Sequence, residues 1–384
     1  MRNPFESTLI ELPELCLQYT ERDVFALATE NLERAATTIH NFEEYRTAFE
    51  HEIQIADVTG HIKFLMPGID LFLRLKDTLP LQVLQGPGMG SALLYQLGLH
   101  PFNPMDYGFL LDPFFSAERV HTPHLTLSCP WNRRVEVIEV MQAIVPPRKL
   151  LWAAHPGQSS EPPIHLVITG KEAHELPFRT FREEETGLTG ISVSGNELER
   201  YGFLGLTIHP DSVLTRALHL AEGEDGSDFL GSAASFECHW RRTMIESEAT
   251  KSTAPEWAME HRLRAIALSS FMAQKLDYLA PSIPAQIFEE DWVRELARAT
   301  KCSHAKALLF LAALRKRVDP LVRQMTEELI GLGASEGFIQ SCLQSFGLLC
   351  SRRELVSHLF REEWSAALKV AERRPPPGRE EKAK

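Results

Sequence analysis

Apolar residues recur every three or four positions over residues 20–58, and this spacing predicts helix as far as Gly60. A second helix is predicted from Ile69 to Leu79, where Pro80 ends the pattern. Helices are also predicted from Trp131 to Ile144, before a Pro-Pro pair, and from Ser212 to Ala221. The first part of the chain therefore carries several separate helices.

Short alternations of apolar and polar residues predict strands between these helices. They occur at PHLTLSC (123–129), IHLVIT (164–169) and GFLGLTI (202–208). The stretch between the second and third strands is rich in Glu and Thr, and we expect it to be a loop. Strands interspersed with helices predict a domain that contains both.

Only helical spacing is found in the last third of the chain, after the flexible composition of GEDGSDFLGSAAS. We expect an α/β module over residues 1–230, a linker over 231–255 and an all-helical module over 256–372. The final twelve residues, 373–384, are RRPPPGREEKAK, a composition typical of a disordered tail.

Charged residues are unevenly distributed along the 384-residue chain. Residues 300–384 carry 15 Lys and Arg against 10 Asp and Glu, whereas residues 1–299 carry 25 against 42. Because phosphate binding depends on cations, we expect nucleic-acid binding to be weak or absent in the acidic part. The basic residues that could bind phosphate lie in the C-terminal helices: Arg315, Lys316, Arg317, Arg352 and Arg353. The alternative is that they form an ordinary solvated helix face.

Six cysteines are scattered without a C-x-x-C pair, which favours reduced thiols over disulfides or a zinc knuckle. No apolar run approaches the roughly 20 residues of a membrane span, and the first residues lack the apolar segment of a signal peptide. We therefore expect a cytoplasmic protein that does not bind membranes. No cofactor or metal is predicted.

Several segments in order resemble the bacterial DNA polymerase III alpha subunit, the C-family replicative polymerase. The resemblance covers most of residues 10–372 and implies a polymerase-beta-like palm with a mixed sheet, in an α+β fold, followed by helical fingers. Only some 20 residues, near 145–163, stand where the family has its thumb, so most of the thumb is missing. The matching segments are LPELCLQYTERDVFALATENLER, GPGMGS, NPMDYGFLLDPFFSAERVHTPHLTLSC, ELERYGFLGLTIHPDSVL and FEEDWVRELARATKCSHAKALLFLAALRKR.

The resemblance also implies which residues should bind the two magnesium ions of catalysis. In the family, aspartates on two neighbouring palm strands hold the metals, and here the first strand has His124, Thr126 and Ser128 at the aspartate positions. The third carboxylate position is Thr207 in an ungapped match or Gly202 in a shifted one. Magnesium prefers charged oxygen ligands, so we expect no polymerase activity.

Two phosphate-binding elements of the family are also altered. The glycine-rich loop keeps Gly86, Gly88, Gly90 and Ser91, but Met89 replaces its arginine. The arginine pair of the fingers is replaced by Leu311 and Ala312. These glycines and the basic C-terminal residues are candidate remnants of a nucleic-acid or phosphate site, although any one of them is equally explained as scaffold.

The resulting hypothesis is a catalytically inactive polymerase relative that binds a protein partner, unidentified from sequence, in replication or repair. The alternative is a nucleic-acid-binding protein that uses the basic C-terminal helices. A third hypothesis is a new zinc enzyme built on His121, His124 and Cys129, which requires a bend because residues three apart on a strand face opposite sides. A relic without a selected role is the fourth.

Overall fold

A computed structural model describes most of the predicted α/β module and the later helices. The described residues are 12–39, 41–110, 114–115, 123–154, 163–182, 186–192, 201–223, 288–315, 318–345, 349 and 351–372. The predicted linker at 231–255, the predicted helix near 256–279 and the tail at 373–384 lie outside them. The proposed domain boundaries therefore stay a prediction.

Three helices open the fold. Helix α1 (Glu21–Arg34) begins at Thr20, whose hydroxyl accepts a hydrogen bond from the backbone N–H of Asp23 while the Asp23 carboxylate accepts from the N–H of Thr20. Helix α2 (Phe42–Val58) follows a turn, so the helix predicted over 20–58 is in fact two. Both helices have apolar residues at three- and four-residue spacing, so the sequence pattern did not reveal the break between them.

Helix α3 (Ile62–Leu75) begins seven residues before the predicted start at Ile69. Pro67 and Gly68, both unfavourable inside helices, made the earlier start look unlike helix. The structure gives Gly68 a packing role, because a Cβ there would lie 2.8 Å from Leu125 Cδ1. This glycine lets α3 approach the sheet closely.

Six described strands form one mixed sheet, in the order β1-β6-β3-β2-β5-β4. The pairs β1–β6 and β2–β5 are parallel, and the other neighbours are antiparallel. This arrangement, followed by helices, confirms the predicted α+β class with a mixed sheet. The strands are β1 (Thr126–Cys129), β2 (Leu150–Ala154), β3 (Ile164–Ile168), β4 (Thr180–Arg182), β5 (Thr189–Ser192) and β6 (Leu204–Pro210).

The central strands have an apolar face and a polar face. Leu127, Leu206 and Ile208 alternate with polar residues and are buried in the main hydrophobic core together with side chains of α3 and of α5 (Arg134–Ile144). Their neighbours on the other side of the same strands include Thr126 and Thr207. We call this second side the polar face.

The later helices form a second core and then return to the first. Trp292, Phe310 and Leu329 are buried in the second core. The last helix instead packs on the α/β module, where Phe360 lies 5.2 Å from Phe102 between ring centroids and the Ser357 hydroxyl donates to the carbonyl of Leu84. The remaining helices are α4 (Ala92–Gln96), α6 (Ser212–Gly223), α7 (Glu289–Thr300), α8 (His304–Arg315), α9 (Asp319–Gly331), α10 (Glu336–Ser345) and α11 (Arg352–Glu372).

Among the helices described, none is both long enough and apolar enough to cross a bilayer.

Candidate functional site

The polar face brings together three polar side chains, two of them at positions where the resemblance expects carboxylates. Thr126 on β1 lies beside Thr207 on β6, and Thr207 lies beside His165 on β3. His165 Nδ1 and Thr207 Oγ1 are 3.1 Å apart. A row of hydroxyl and imidazole groups therefore crosses the three central strands, and all three side chains are half-buried.

Ser128 and His124 lie on either side of Thr126 along the chain. Ser128 is fully buried, and its backbone is hydrogen-bonded to Gln82 in both directions, at 2.7 and 3.1 Å. Its hydroxyl has no hydrogen-bond partner among the described residues. His124 is exposed just before β1 begins. The resemblance expects aspartates at these positions, and the hydroxyl and imidazole found here supply no anionic oxygen.

The alternative third position, Gly202, lies elsewhere. It occupies a turn that precedes β6, with a positive φ of 70°, a conformation that favours glycine. Thr207, by contrast, lies directly beside Thr126. Of the two candidate positions for the third carboxylate, Thr207 therefore belongs to the row on the polar face and Gly202 does not.

The described residues contain no group of three or more His, Cys, Asp or Glu side chains that could hold a metal ion. Cys129 is an odd number of residues from His124 and is buried in the main core, whereas His124 is exposed. Burial raises the pKa of the Cys129 thiol to about 12. His121 lies outside the described residues. Among the described residues, no two of the proposed zinc ligands therefore face the same site.

One carboxylate does lie at the end of β6, and it has a structural role. Asp211 is almost completely buried, and its Oδ1 accepts hydrogen bonds from the N–H groups of Val213 and Leu214 at 2.9 and 3.2 Å. It thereby caps α6. Its Oδ2 pairs with Arg361 Nε of α11 at 3.1 Å. Both oxygens are thus engaged within the protein.

The glycine-rich loop, residues 86–91, turns tightly and is mostly buried. Gly86 has a φ of 80°, and a Cβ on Gly90 would lie 2.6 Å from the carbonyl oxygen of Leu110. Met89, which stands where the family has arginine, is completely buried. The loop therefore keeps the backbone course for which glycine is needed, and its central side chain belongs to the core.

A buried carboxylate accepts hydrogen bonds from the backbone N–H groups that follow this loop. Glu52 of α2 is 2% exposed, and its Oε2 accepts from the N–H groups of Ala92 and Leu93 at 2.7 and 3.3 Å. The Ser91 hydroxyl donates to Oε1 of the same group. The negative charge that favours the start of a helix is supplied here by the protein itself.

The basic C-terminal residues are close to an acidic turn at the start of α7, which we define as Glu289, Glu290 and Asp291. Arg315 pairs with Glu289 at 2.5 Å, and Arg352 pairs with Asp291 at 2.8 Å. Arg352 is 6% exposed. Lys316 and Arg317 lie outside the described residues.

Two further contacts tie this cluster to the rest of the fold. The guanidinium carbon of Arg352 lies 3.9 Å from the centroid of the Phe288 ring, and its backbone N–H donates to Glu290 at 3.1 Å. Burial raises the pKa of Glu290, and the charge of Arg353 opposes that rise. The described cations among those predicted to meet phosphate, Arg315, Arg352 and Arg353, are therefore close to carboxylates of the same chain.

Arg294 extends the cluster to the α/β module. It pairs with Asp291 at 3.1 Å and donates to the carbonyl oxygens of Gly108 and Phe109 at 2.6 and 3.3 Å. Sequence reasoning did not identify Arg294, Glu52 or the acidic turn as important. The three consecutive acidic residues in the first turn of a predicted helix were the available signal, whereas nothing in the sequence marks Glu52 as buried.

Comparison with known proteins gives local similarities. No family model matches the chain. The DNA polymerase III subunit alpha of Aquifex aeolicus is 26% identical over 101 residues, which cover 26% of this chain and 9% of that protein. The subunits of the same name from two strains of Staphylococcus epidermidis are each 29% identical over 106 residues, covering 27% of this chain and 10% of theirs. The matches thus span about a tenth of the relatives' length, and they support a distant relationship to that family.

Proposed function

We propose that this chain is a catalytically inactive relative of the DNA polymerase III alpha subunit that acts through a protein partner in replication or repair. The local similarity to alpha subunits supports a link to replication. The remainder of the proposal rests on how this chain has changed the positions that would carry polymerase chemistry.

The observation that carries the proposal is the composition of the polar face. Nucleotidyl transfer with two metal ions needs anionic ligands that hold both ions and align the reacting oxygens. The row Thr126–Thr207–His165 supplies hydroxyl and imidazole groups, which are poor magnesium ligands. Asp211, at the end of β6, is engaged by the start of α6 and by Arg361.

The two elements that would hold a triphosphate support the same conclusion. Glu52 supplies a negative charge to the donors that follow the glycine-rich loop. Leu311 is buried in the helical core where the family has an arginine. A phosphate group would therefore meet an internal carboxylate at one element and an apolar side chain at the other.

Primer extension tests the loss of catalysis directly. The purified chain, a primed template, four deoxynucleotides and either magnesium or manganese should give no extension. Removing a single preorganised charge-stabilising group costs about 3–4 kcal/mol at a transition state, and several are missing here. A bacterial polymerase III alpha subunit serves as positive control, and a mock purification measures contaminating polymerase. Template-dependent extension above the mock level would overturn the proposal.

Co-purification tests the partner. The chain carrying an affinity tag, expressed from its own locus, should retain a second protein in near-stoichiometric amount after washing at about 200 mM salt, at which non-specific electrostatic contacts are weakened. An unrelated tagged protein of similar net charge is the control. Recovery of the chain alone, at several salt concentrations, would argue against a partner-binding role.

The alternative function is nucleic-acid binding by the C-terminal helices, which the local excess of Lys and Arg favours. True phosphate contacts weaken steeply as salt rises from about 50 to 200 mM. Fluorescence anisotropy with labelled single-stranded and duplex DNA measures this dependence. Salt-dependent binding that falls in an Arg353→Gln variant would favour the alternative, and no binding at the lower salt concentration would remove it.

A further inference from the structure

The outer edge of β4 offers unpaired backbone groups. The carbonyl of Arg179 accepts from Ser192 N–H at 3.2 Å, so the backbone groups of Arg179 and, two residues later, Phe181 face β5. In an antiparallel pair the intervening residues face away. The N–H and C=O groups of Thr180 and Arg182 therefore point outward, and no strand among the described residues pairs with them.

Aromatic side chains border this edge on both sides of the sheet. On one side, the ring of Phe181 covers Gly190, where a Cβ would collide with it, and Phe181 is 43% exposed. Trp152, half-buried, lies beside Gly190 on the next strand. On the other side, where Phe178 packs with Ile191, the ring of Tyr201 lies 4.7 Å from that of Phe178 between centroids and is 44% exposed. Phe181 and Tyr201 are two of only five large apolar side chains that are exposed among the described residues, which concentrates apolar surface here.

The edge is also positively charged. Arg179 and Arg182 are exposed, and neither forms an ion pair with a described residue. This differs from Arg315 and Arg352, whose charges are matched by carboxylates of the same chain. The acidic run at 183–185 follows in sequence and lies outside the described residues. The strand thus combines open main-chain groups, exposed aromatic rings and cations that no described carboxylate neutralises.

We propose that the β4 edge, defined as Arg179 to Arg182 with Trp152 and Tyr201, binds an extended acidic segment of a partner protein as an added strand. The inference rests on the proposed function in requiring a protein partner. Main-chain hydrogen bonds to Thr180 and Arg182 supply affinity in such an addition, and alternating side chains supply specificity. Arg179 lies on the same face of the strand as Phe181, and Arg182 lies on the opposite face. One face of the added strand therefore meets Phe181 and Arg179, and an acidic side chain on its other face pairs with Arg182.

The charges favour a heterologous partner over a second copy of this chain. Pairing two β4 strands would bring Arg179 and Arg182 of one copy close to the same cations of the other. Like charges across a strand pair are destabilising. An acidic segment instead neutralises both arginines, and its binding should weaken with salt.

The test begins with short random peptides displayed on phage and selected against the full chain. Enriched peptides should be free of proline and should carry Asp or Glu about three positions apart, as Arg179 and Arg182 are, with an aromatic or β-branched residue between them that meets Phe181. A synthetic peptide of the enriched sequence is then labelled, and its affinity is measured by fluorescence anisotropy. Enriched peptides that are basic or helical in pattern would overturn the proposal.

Variants of β4 locate the binding. Thr180→Pro removes an outward N–H and leaves the bonds to β5 in place, so it should weaken peptide binding about tenfold, whereas Thr180→Ala should bind nearly as well as the wild type. Arg182→Glu leaves the backbone intact and should also reduce affinity at low salt. Equal affinity of the wild type, Thr180→Pro and Arg182→Glu would overturn the proposal, whether or not Thr180→Pro is less stable.

Sedimentation velocity and co-purification separate this proposal from its alternatives. A dimer of the wild type that Thr180→Pro dissolves would assign the edge to a second copy and overturn the acidic-segment proposal. A natural partner retained equally by wild type and Thr180→Pro would leave the proposed function standing and overturn only this inference. A partner lost from Thr180→Pro and kept by Thr180→Ala supports both. Primer extension, which does not involve β4, tests the loss of catalysis independently.

Discussion

The polar face of the sheet and the contact between α7 and α11 differ in how they use charge. The three residues of the row on the polar face are neutral or weakly basic and half-buried, and they belong to no metal-binding group of carboxylates among the described residues. The acidic turn, in contrast, has three consecutive carboxylates close to Arg294, Arg315 and Arg352. Carboxylates are thus paired with cations where they join parts of the fold, and the row on the polar face contains none.

The two regions differ because a metal site and a structural ion pair need charge in different ways. A metal site needs anions that are not already neutralised, whereas a structural ion pair needs each charge to have a partner in the same chain. The polar face satisfies neither requirement, whereas Glu289 and Asp291 of the acidic turn satisfy the second. If this comparison is right, adding charge to the polar face and removing a member of an ion pair from the acidic turn should both destabilise the protein.

The largest effect is expected from restoring a carboxylate on the polar face. Ser128 is fully buried and its strand neighbours are Gln82 and His209, with no Lys or Arg opposite it, so Ser128→Asp should lower the free energy of unfolding by about 4 kcal/mol. Urea denaturation followed by circular dichroism measures this change. The loss should shrink below about pH 5, because an acidic side chain can be buried as its neutral form.

Thr126→Asp is the matched control for that substitution, since Thr126 is half-buried on the same strand and should cost less than about 1 kcal/mol. Equal and small costs at both positions would mean that cations, or metal ions, do reach this face. Such a result would remove the contrast between the two regions.

The next largest effect is expected at the acidic turn. Arg352→Ala removes the partner of Asp291 and the cation over the Phe288 ring, and should lower the free energy of unfolding by about 3 kcal/mol. Arg298→Ala, on the exposed side of α7, should cost no more than about 0.5 kcal/mol. Thermal unfolding of both variants measures the difference. If Arg352→Ala is as stable as Arg298→Ala, the pairing contributes nothing to the fold.

Asp211 allows two structural roles to be separated. Asp211→Asn keeps an oxygen that can cap α6 but loses the charge that faces Arg361, so we expect a loss of about 1–2 kcal/mol. Asp211→Ala loses both and should cost about 1 kcal/mol more. Urea denaturation distinguishes the two. Identical losses would show that capping by this side chain is unimportant.

The smallest effect concerns Glu290 and depends on pH. Burial raises its pKa above the ordinary value of 4.5, so the folded protein binds the proton more tightly than the unfolded chain. The stability that this group contributes is complete below pH 4.5 and is lost as pH rises through the folded-state pKa. Glu290→Gln cannot titrate and should therefore be relatively more stable at neutral pH.

Unfolding of the wild type and Glu290→Gln between about pH 4 and 7 measures this difference. The advantage of the glutamine variant should increase with pH. An advantage that decreases with pH would mean that the attraction of Arg353 exceeds the cost of burial, which would make Glu290 a stabilising charge like its neighbours in the acidic turn.

Sequence patterns predicted most helices and three strands of this fold, because α5, β3 and β6 have clear periodicity of their own. They did not predict β4 and β5, which are three and four residues long and exist through pairing with distant strands. Strand β2, LLWAA, was missed because all five of its residues are apolar, so it shows no alternation of apolar and polar side chains.

The residues of the candidate site were likewise only partly predictable from the sequence. The resemblance named Thr126 and Thr207, and the structure places them side by side on β1 and β6. It did not reveal that Arg352 would be buried against Asp291, 61 residues away in the chain, or that Glu52 would reach Ala92. Pairings of this kind depend on tertiary packing, which a single sequence does not specify.

The return of α11 to the α/β module has a consequence for how the chain folds. Val356, Leu359 and Phe360 belong to the same core as the first helices, and the bond from Ser357 to Leu84 joins residues 273 positions apart. Proteins are synthesised from the N-terminus, so this core stays incomplete until α11 has left the ribosome. Contacts this distant in sequence also slow folding. Until α11 is made, the growing chain must therefore keep an unfinished apolar surface in solution, where it is exposed to aggregation and to chaperones.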